Sequence, residues 1–276
     1  MSFFVSLPCR LIQELRLVHA LAESSHEVRV TKDARSRFRK LEELAGPLFA
    51  EEPGEVVDIS DSISFCHEQP KSVIAGIERQ LIFPHRIIGF CRDQWREERP
   101  TEFLFQGQVS PHRLVQLSDW VRENWSDKEL VFKEEDLLAR LTTALRSSIG
   151  LHTTREFRTG GLLIVESNRG RKFPLKAWDE TYFRRMAQAQ FVLCPGGSFT
   201  WSYRFVEAMF CGAIPVVDGD CSLFEGFQFF RWEDRADSLQ WDARIAEENF
   251  HRAVERFSVP REELDGALAR IQQENS

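Results

Sequence analysis

The stretch from Phe191 to Asp220, FVLCPGGSFTWSYRFVEAMFCGAIPVVDGD, constrains the fold of this chain more than any other. Phe191-Val192-Leu193-Cys194 is a short apolar run closed by Pro195-Gly196-Gly197-Ser198, so a strand runs into a glycine turn. Ser202 is a good N-cap residue, and Tyr203 to Cys211 is dense in helix-compatible apolar residues until Gly212. Ala213-Ile214-Pro215-Val216-Val217 then reads as a second buried strand. The unit is therefore strand, glycine turn, helix, strand.

A helix N-terminus behind glycines offers unpaired N–H groups and the positive end of a dipole to a phosphate. Glu207 sharpens the reading, because Phe205, Val206, Ala208, Met209 and Phe210 make its helix apolar nearly all round. A buried carboxylate needs a partner. Arg204, one turn earlier, either pairs with Glu207 as a structural ion pair or presents its planar fork of donors to phosphates.

The stretch resembles the C-terminal signature of the exostosin family of glycosyltransferases. The residues that carry the resemblance are Phe191, Leu193-Cys194-Pro195-x-Gly197, Ser202-x-Arg204-x-x-Glu207-Ala208, Gly212 and Ile214-Pro215-Val216, over about thirty positions. Upstream, Tyr182 and Met186 resemble the family's approach helix, and Phe103-Leu104-Phe105-Gln106-Gly107 with Arg113 its opening strand and first helix. The resemblance covers roughly residues 101 to 232.

The resemblance implies an α/β enzyme of the GT-B type with two Rossmann-like domains and parallel sheets: a reduced acceptor-side domain at residues 1–98 and a nucleotide-sugar-binding domain at residues 99–276 with terminal helices. By the same resemblance Glu207 binds the ribose hydroxyls. Arg204, Ser202 and the Gly196-Gly197-Ser198 turn face the diphosphate, with Gly107 and Arg113 on the same nucleotide-sugar side. The implied reaction moves a sugar from a UDP- or GDP-linked donor to a hydroxyl of a glycan or other acceptor, as in polysaccharide biosynthesis, with no metal or other cofactor. One departure is informative. Many retaining GT-B enzymes carry two glutamates eight positions apart, but Phe199 stands eight before Glu207. A fucosyltransferase-like enzyme and a non-catalytic nucleotide-sugar-binding subunit remain alternatives.

At 276 residues, 42% of them hydrophobic, the chain has material for one large or two modest domains. A net charge of −7 argues against nucleic-acid or anionic-membrane binding. Cys9, Cys66, Cys91, Cys194, Cys211 and Cys221 show no CxxC spacing, which points to a reducing compartment and no zinc. Met1 to Leu7 carries no basic leader, and Arg10 and Glu14 interrupt any membrane span, so a cytoplasmic location is expected. Leu11, Ile12, Leu15, Val18 and Leu21 fall at helical spacing. A strand at 26–31, a helix at 34–49 and a strand at 55–59 follow, an order of βαβ units.

His67 and His85 are the notable titratable residues of this half, each read as a candidate general base or as a structural histidine beside aromatic rings. The run RDQWREERP at Arg92–Pro100 is the best linker candidate. Phe103 to Gly107 reads as a strand, His112 to Ile149 as two helical patterns, and Leu162 to Val165 as a strand leading into a basic loop that ends at Lys172. Asp218-Gly219-Asp220 is either turn chemistry or an Asp-x-Asp cation site. Helices are expected from Asp242 to Phe257 and from Glu262 to Ile271, with Pro260 between them.

Overall fold

The computed structural model describes residues 2–51, 55–125, 154–167, 179–197 and 199–275. These fall into two units that are not a single cut in the sequence: residues up to Phe90 group with Asp179 and the segment from Ala253 onward, and the other described residues form the second unit.

In the first unit, β1 (Ser2–Val5) lies between β2 (Val28–Val30) and β3 (Val56–Asp58), and both pairings are parallel. Each crossover is a helix: α1 (Ile12–Leu21) and α2 (Lys32–Ala45). Thr31 caps α2 through its Oγ1, which accepts from Ala34 N–H at 3.2 Å. An antiparallel meander follows, β4 (Ile63–Cys66), β5 (Lys71–Ile74) and β6 (Ile77–Arg79). The alternation of polar residues in SFCHEQPKSV hides these short strands from a search for apolar runs. The unit is completed by the start of α3 (His85–Asp93), the end of α7 (Ala243–Phe257) and α8 (Arg261–Glu274). Ser25 N–H donates to Asp265 and Phe83 N–H to the Phe257 carbonyl, so the C-terminal helices belong physically to the N-terminal sheet's unit.

The second unit is built on a six-stranded sheet in the order β12-β11-β10-β7-β9-β8. Its strands are β7 (Thr101–Gly107), β8 (Thr154–Thr159), β9 (Leu162–Ser167), β10 (Ala189–Cys194), β11 (Ile214–Val217) and β12 (Phe230–Arg231). All neighbours are parallel except β8, an antiparallel edge strand beside β9. The α/β class with parallel sheets is thus the fold observed, with the β8 edge and the meander as antiparallel additions. Phe103 and Phe191 are register partners whose rings stack at 5.1 Å, and Trp120 of α4 (Pro111–Asn124) packs its edge on Phe103 at 4.9 Å. Each of these fully buried rings contributes roughly 1.5–3 kcal/mol of burial free energy.

Within the charged run at 92–100 several groups are anchored in this unit. Arg92 makes a two-armed pair with Glu247, Trp95 Nε1 donates to the Phe210 carbonyl, and Arg99, 6% exposed, donates to the carbonyls of Ala187, Ala189 and Cys211. Burial holds the Arg99 guanidinium below its ordinary range, to about 10. The helical pattern expected after α4 and the basic loop at 168–172 lie outside the described residues. No helix among the described residues is long and apolar enough to cross a membrane.

Candidate functional site

The sheet order sets where a site can form. The chain leaves β7 toward β9 on one side, and β10 lies on the other, so β7 and β10 flank a topological switch point. Open α/β sheets bind ligands at the carboxyl ends of such strands. Here those ends are Gly107 and the turn that follows Cys194.

The turn feeds α6 (Tyr203–Phe210), whose approach helix is α5 (Glu180–Ala187). On α6 every residue from Arg204 to Phe210 is buried, and Phe205 sits among the rings of Phe224, Phe227 and Phe229 at 4.4–5.9 Å. Gly212, at φ 72°, ends the helix with a Schellman pair: Ala213 N–H reaches the Ala208 carbonyl and Gly212 N–H that of Met209. The apolar packing fixes which side chains point out of the helix start toward Gly107.

Arg204 does so. Its guanidinium lies over the Phe105 ring at 4.6 Å, and a Cβ built on Gly107 would meet its Nη2 at 3.0 Å. Gly107 holds φ at 150°, so glycine serves there both for backbone and for space. Arg204 is 7% exposed, yet its Nη1 has no hydrogen-bond partner among the described residues. Ser202 occupies the N-cap position of α6 but its hydroxyl makes no cap bond, and that buried Oγ likewise has no partner among the described residues. Among the described residues no ion pair joins Arg204 to Glu207, so the pairing between the two is not what the structure has. Glu207, 4% exposed, instead accepts from the Tyr182 hydroxyl at 2.6 Å.

The glycine turn is tied down from two sides. Arg113 Nε donates to the Gly196 carbonyl at 2.9 Å and its Nη1 to the Gln108 carbonyl at 3.2 Å. Gly196 N–H donates to Asp218 Oδ1 at 2.6 Å, and Gln116, one turn after Arg113 on α4, donates to Asp218 Oδ2. Gly197 N–H closes the turn onto the Phe199 carbonyl at 2.9 Å, and a Cβ on Gly197 would meet Arg113 Nη2 at 2.6 Å. Both glycine amides are therefore engaged within the protein. The side-chain groups left without a partner among the described residues at the α6 start are the buried Ser202 Oγ and Arg204 Nη1. Burial raises the Asp218 carboxyl above its ordinary value, opposed by the Gly196 amide, and pushes the Cys194 thiol up to about 12.

The structure thus brings Gly107 to Arg204, and Arg113 to Gly196 and Gly197, with Ser202 and Glu207 placed by the helix that carries Arg204; Ser198 lies outside the described residues. Asp218 faces the turn and Asp220 pairs with Arg231 at 2.7 Å, so the two aspartates of the Asp-x-Asp have separate partners. No group of three or more metal-ligating side chains occurs among the described residues. Sequence reasoning missed the roles of Gln116 and Tyr182. The i, i+3 spacing of Arg113 and Gln116 was the available signal for the first. His85, in the first unit, bonds the Val259 carbonyl through Nε2 at 2.8 Å, and the His67 ring stands edge-on to Phe65.

No family model matches the chain. Over 54 residues it is 43% identical to the probable beta-1,4-xylosyltransferase IRX10L of Arabidopsis thaliana, covering 20% of this chain and 13% of that protein. Over 57 residues it is 40% identical to the probable glucuronosyltransferase GUT1 of Oryza sativa subsp. japonica, covering 21% and 14%. The matches thus span only a small part of either relative. The crystal structure of Anabaena Alr3699/HepE in complex with UDP-glucose aligns over 68% of this chain and 53% of that one, at 17% identity and a TM-score of 0.35. The chain is similar, over short segments, to proteins named as sugar transferases.

Proposed function

We propose that this chain is a glycosyltransferase of the GT-B type, similar to the exostosin family, which moves a sugar from a UDP- or GDP-linked donor to a hydroxyl of a glycan or other acceptor. The observation that carries the reading is the pair of buried, unpartnered polar groups, Arg204 Nη1 and Ser202 Oγ, at the N-terminus of α6 and the carboxyl end of β7. An orphaned buried donor is costly, and a diphosphate at this place supplies the acceptors it lacks. The local matches to a xylosyltransferase and a glucuronosyltransferase support the same class.

In this reading the site works by position and charge. Arg204 and the α6 dipole take the charge that builds on the leaving diphosphate, a role open to an arginine and a helix N-terminus without a divalent cation. Glu207 accepts from the ribose hydroxyls, and Arg113 acts through the turn, holding the Gly196 carbonyl away from the phosphates. Titration of the intact protein with UDP, GDP and ADP tests this. At 100 times its dissociation constant a true ligand raises stability by about 2.7 kcal/mol. Absence of any melting shift at millimolar concentration overturns the reading, while binding without donor hydrolysis or transfer favours the non-catalytic subunit.

A further inference from the structure

Gln106 stands on β7 directly before Gly107; it is 4% exposed, and its Oε1 has no hydrogen-bond partner among the described residues. A buried orphan of this kind destabilises the sheet, and an apolar residue of the same length would carry none. The side chain therefore calls for a reason other than packing.

Its neighbours Phe105 and Gly107 face Arg204, and strand alternation sets Gln106 on the opposite face. Leu104 is the register partner of Val192, and Gln106 and Cys194 are the next side chains along that face of the two strands. Chain direction decides which helices cover them. α4 belongs to the crossover from β7 to β9, whereas α5 and α6 cross from β9 to β10 and from β10 to β11, the other way along the sheet. Right-handed crossovers then put α4 and α6 on opposite faces. Leu117 and Trp120 of α4 pack with Phe103 and Phe105, so α5 and α6 cover the face of Gln106. The charges of Arg204 and Glu207 both act on the Cys194 thiol, in keeping with this arrangement. Gln106 thus lies at the carboxyl end of β7 on the α6 side, the third buried polar group there, with Ser202 Oγ and Arg204 Nη1, that lacks a partner among the described residues.

The chemistry of the orphan narrows what completes it. A phosphate oxygen carries no hydrogen for a carbonyl oxygen to accept, whereas a hydroxyl both donates and accepts and serves either end of a carboxamide.

We propose that Gln106 is a further donor-binding residue, whose carboxamide holds a hydroxyl of the nucleotide-sugar on the α6 side of the sheet. This assignment rests on the placing of the donor at the α6 start proposed above. The ribose and the transferred sugar both carry hydroxyls, and the experiment separates them.

Wild type and Gln106→Met are compared by calorimetric titration with UDP, GDP, their 2′,3′-dideoxy forms, UDP-glucose and GDP-glucose, and by melting without ligand. Methionine keeps an unbranched stem and leaves no orphan, so the variant is expected to melt at or above the wild-type temperature. Affinity for the ligand whose hydroxyl is held is expected to fall about 3- to 10-fold, the loss of one uncharged hydrogen bond. A fall for UDP or GDP that is absent from the dideoxy form assigns the ribose, and a fall for a glucose conjugate alone assigns the transferred sugar. Should Gln106→Met fail to fold, Gln106→Leu is read in the same titrations; failure of both shows the side chain to be structural and overturns the inference. Equal affinities of wild type and variant for every ligand leave Oε1 to a buried water and overturn it too, as does a fall shared equally by the dideoxy forms. A wild type that binds none of the six overturns the proposed function itself.

Discussion

Replacing Arg204 by methionine separates binding from folding. In the nucleotide-free protein this side chain is 7% exposed with Nη1 unpartnered, and leaving a buried donor unsatisfied costs about 1–3 kcal/mol. Against that cost stands the contact of its guanidinium with the Phe105 ring at 4.6 Å, worth about 0.5–2 kcal/mol. Methionine keeps an unbranched stem over Phe105 and removes both terms. The expected change in stability is therefore within about 1 kcal/mol of zero. Nucleotide binding behaves otherwise. Loss of a charged donor to a phosphate oxygen costs about 1.5–3 kcal/mol, or roughly 10- to 150-fold in affinity. Chemical denaturation and calorimetric titration with UDP and GDP on the same preparation give both numbers. A variant that loses several kcal/mol of stability and still binds nucleotide like the wild type would refute the reasoning, since Arg204 would then be holding the fold.

Four further outcomes are expected. Glu207→Gln keeps the side-chain shape and lowers nucleotide affinity by roughly 10- to 150-fold in the same titration, with the melting temperature little moved. Gly107→Ala forces a Cβ to 3.0 Å from Arg204 Nη2 at a φ of 150°, and is expected to weaken nucleotide binding about 10-fold or more and to lower stability by about 1–3 kcal/mol, read by titration and denaturation. Donor turnover or binding is expected to survive excess EDTA, and its loss with recovery on adding manganese would move the site to Asp218 and Asp220. His19, fully buried beside Glu23 and under the influence of Arg86, has its pKa held near 3 by desolvation, so the unfolded chain takes up a proton near pH 6.5 that the folded protein refuses. Stability present above pH 6.5 should fall by about 1.4 kcal/mol per pH unit below it, and a denaturation series from pH 7 to 5 on His19→Gln should show a flatter acid limb.

What the sequence made legible was local. The strand, turn, helix and strand from Phe191 to Val217 follow from apolar runs, Gly196-Gly197 and Gly212, and the structure has them in place. The βαβ order of the N-terminal half is equally visible, because Val28–Val30 and Val56–Asp58 are bounded by turn residues. The meander from Ile63 to Arg79 was not, since its strands are three or four residues long and half polar. The partners of the site residues were hidden for a different reason. Glu207 meets a phenol 25 positions away and Gly196 meets side chains 22 and 83 positions away, and no periodicity links such pairs. Pairing Arg204 with Glu207 from their spacing on one helix fails because the arginine turns toward Phe105 and Gly107 instead.

The double tether of Gly196 bears on the order in which the molecule acquires its shape. The turn's carbonyl waits for Arg113 and its amide for Asp218, which is in turn held by Gln116 across 102 residues. The strand and helix on either side can form early from neighbouring residues, but the turn between them takes its final form only when β11 and α4 have both docked, a late event because long loops must close first. A ligand bound at that place should then leave the refolding rate nearly unchanged and slow unfolding, with its whole stabilisation appearing in the unfolding limb of the kinetics.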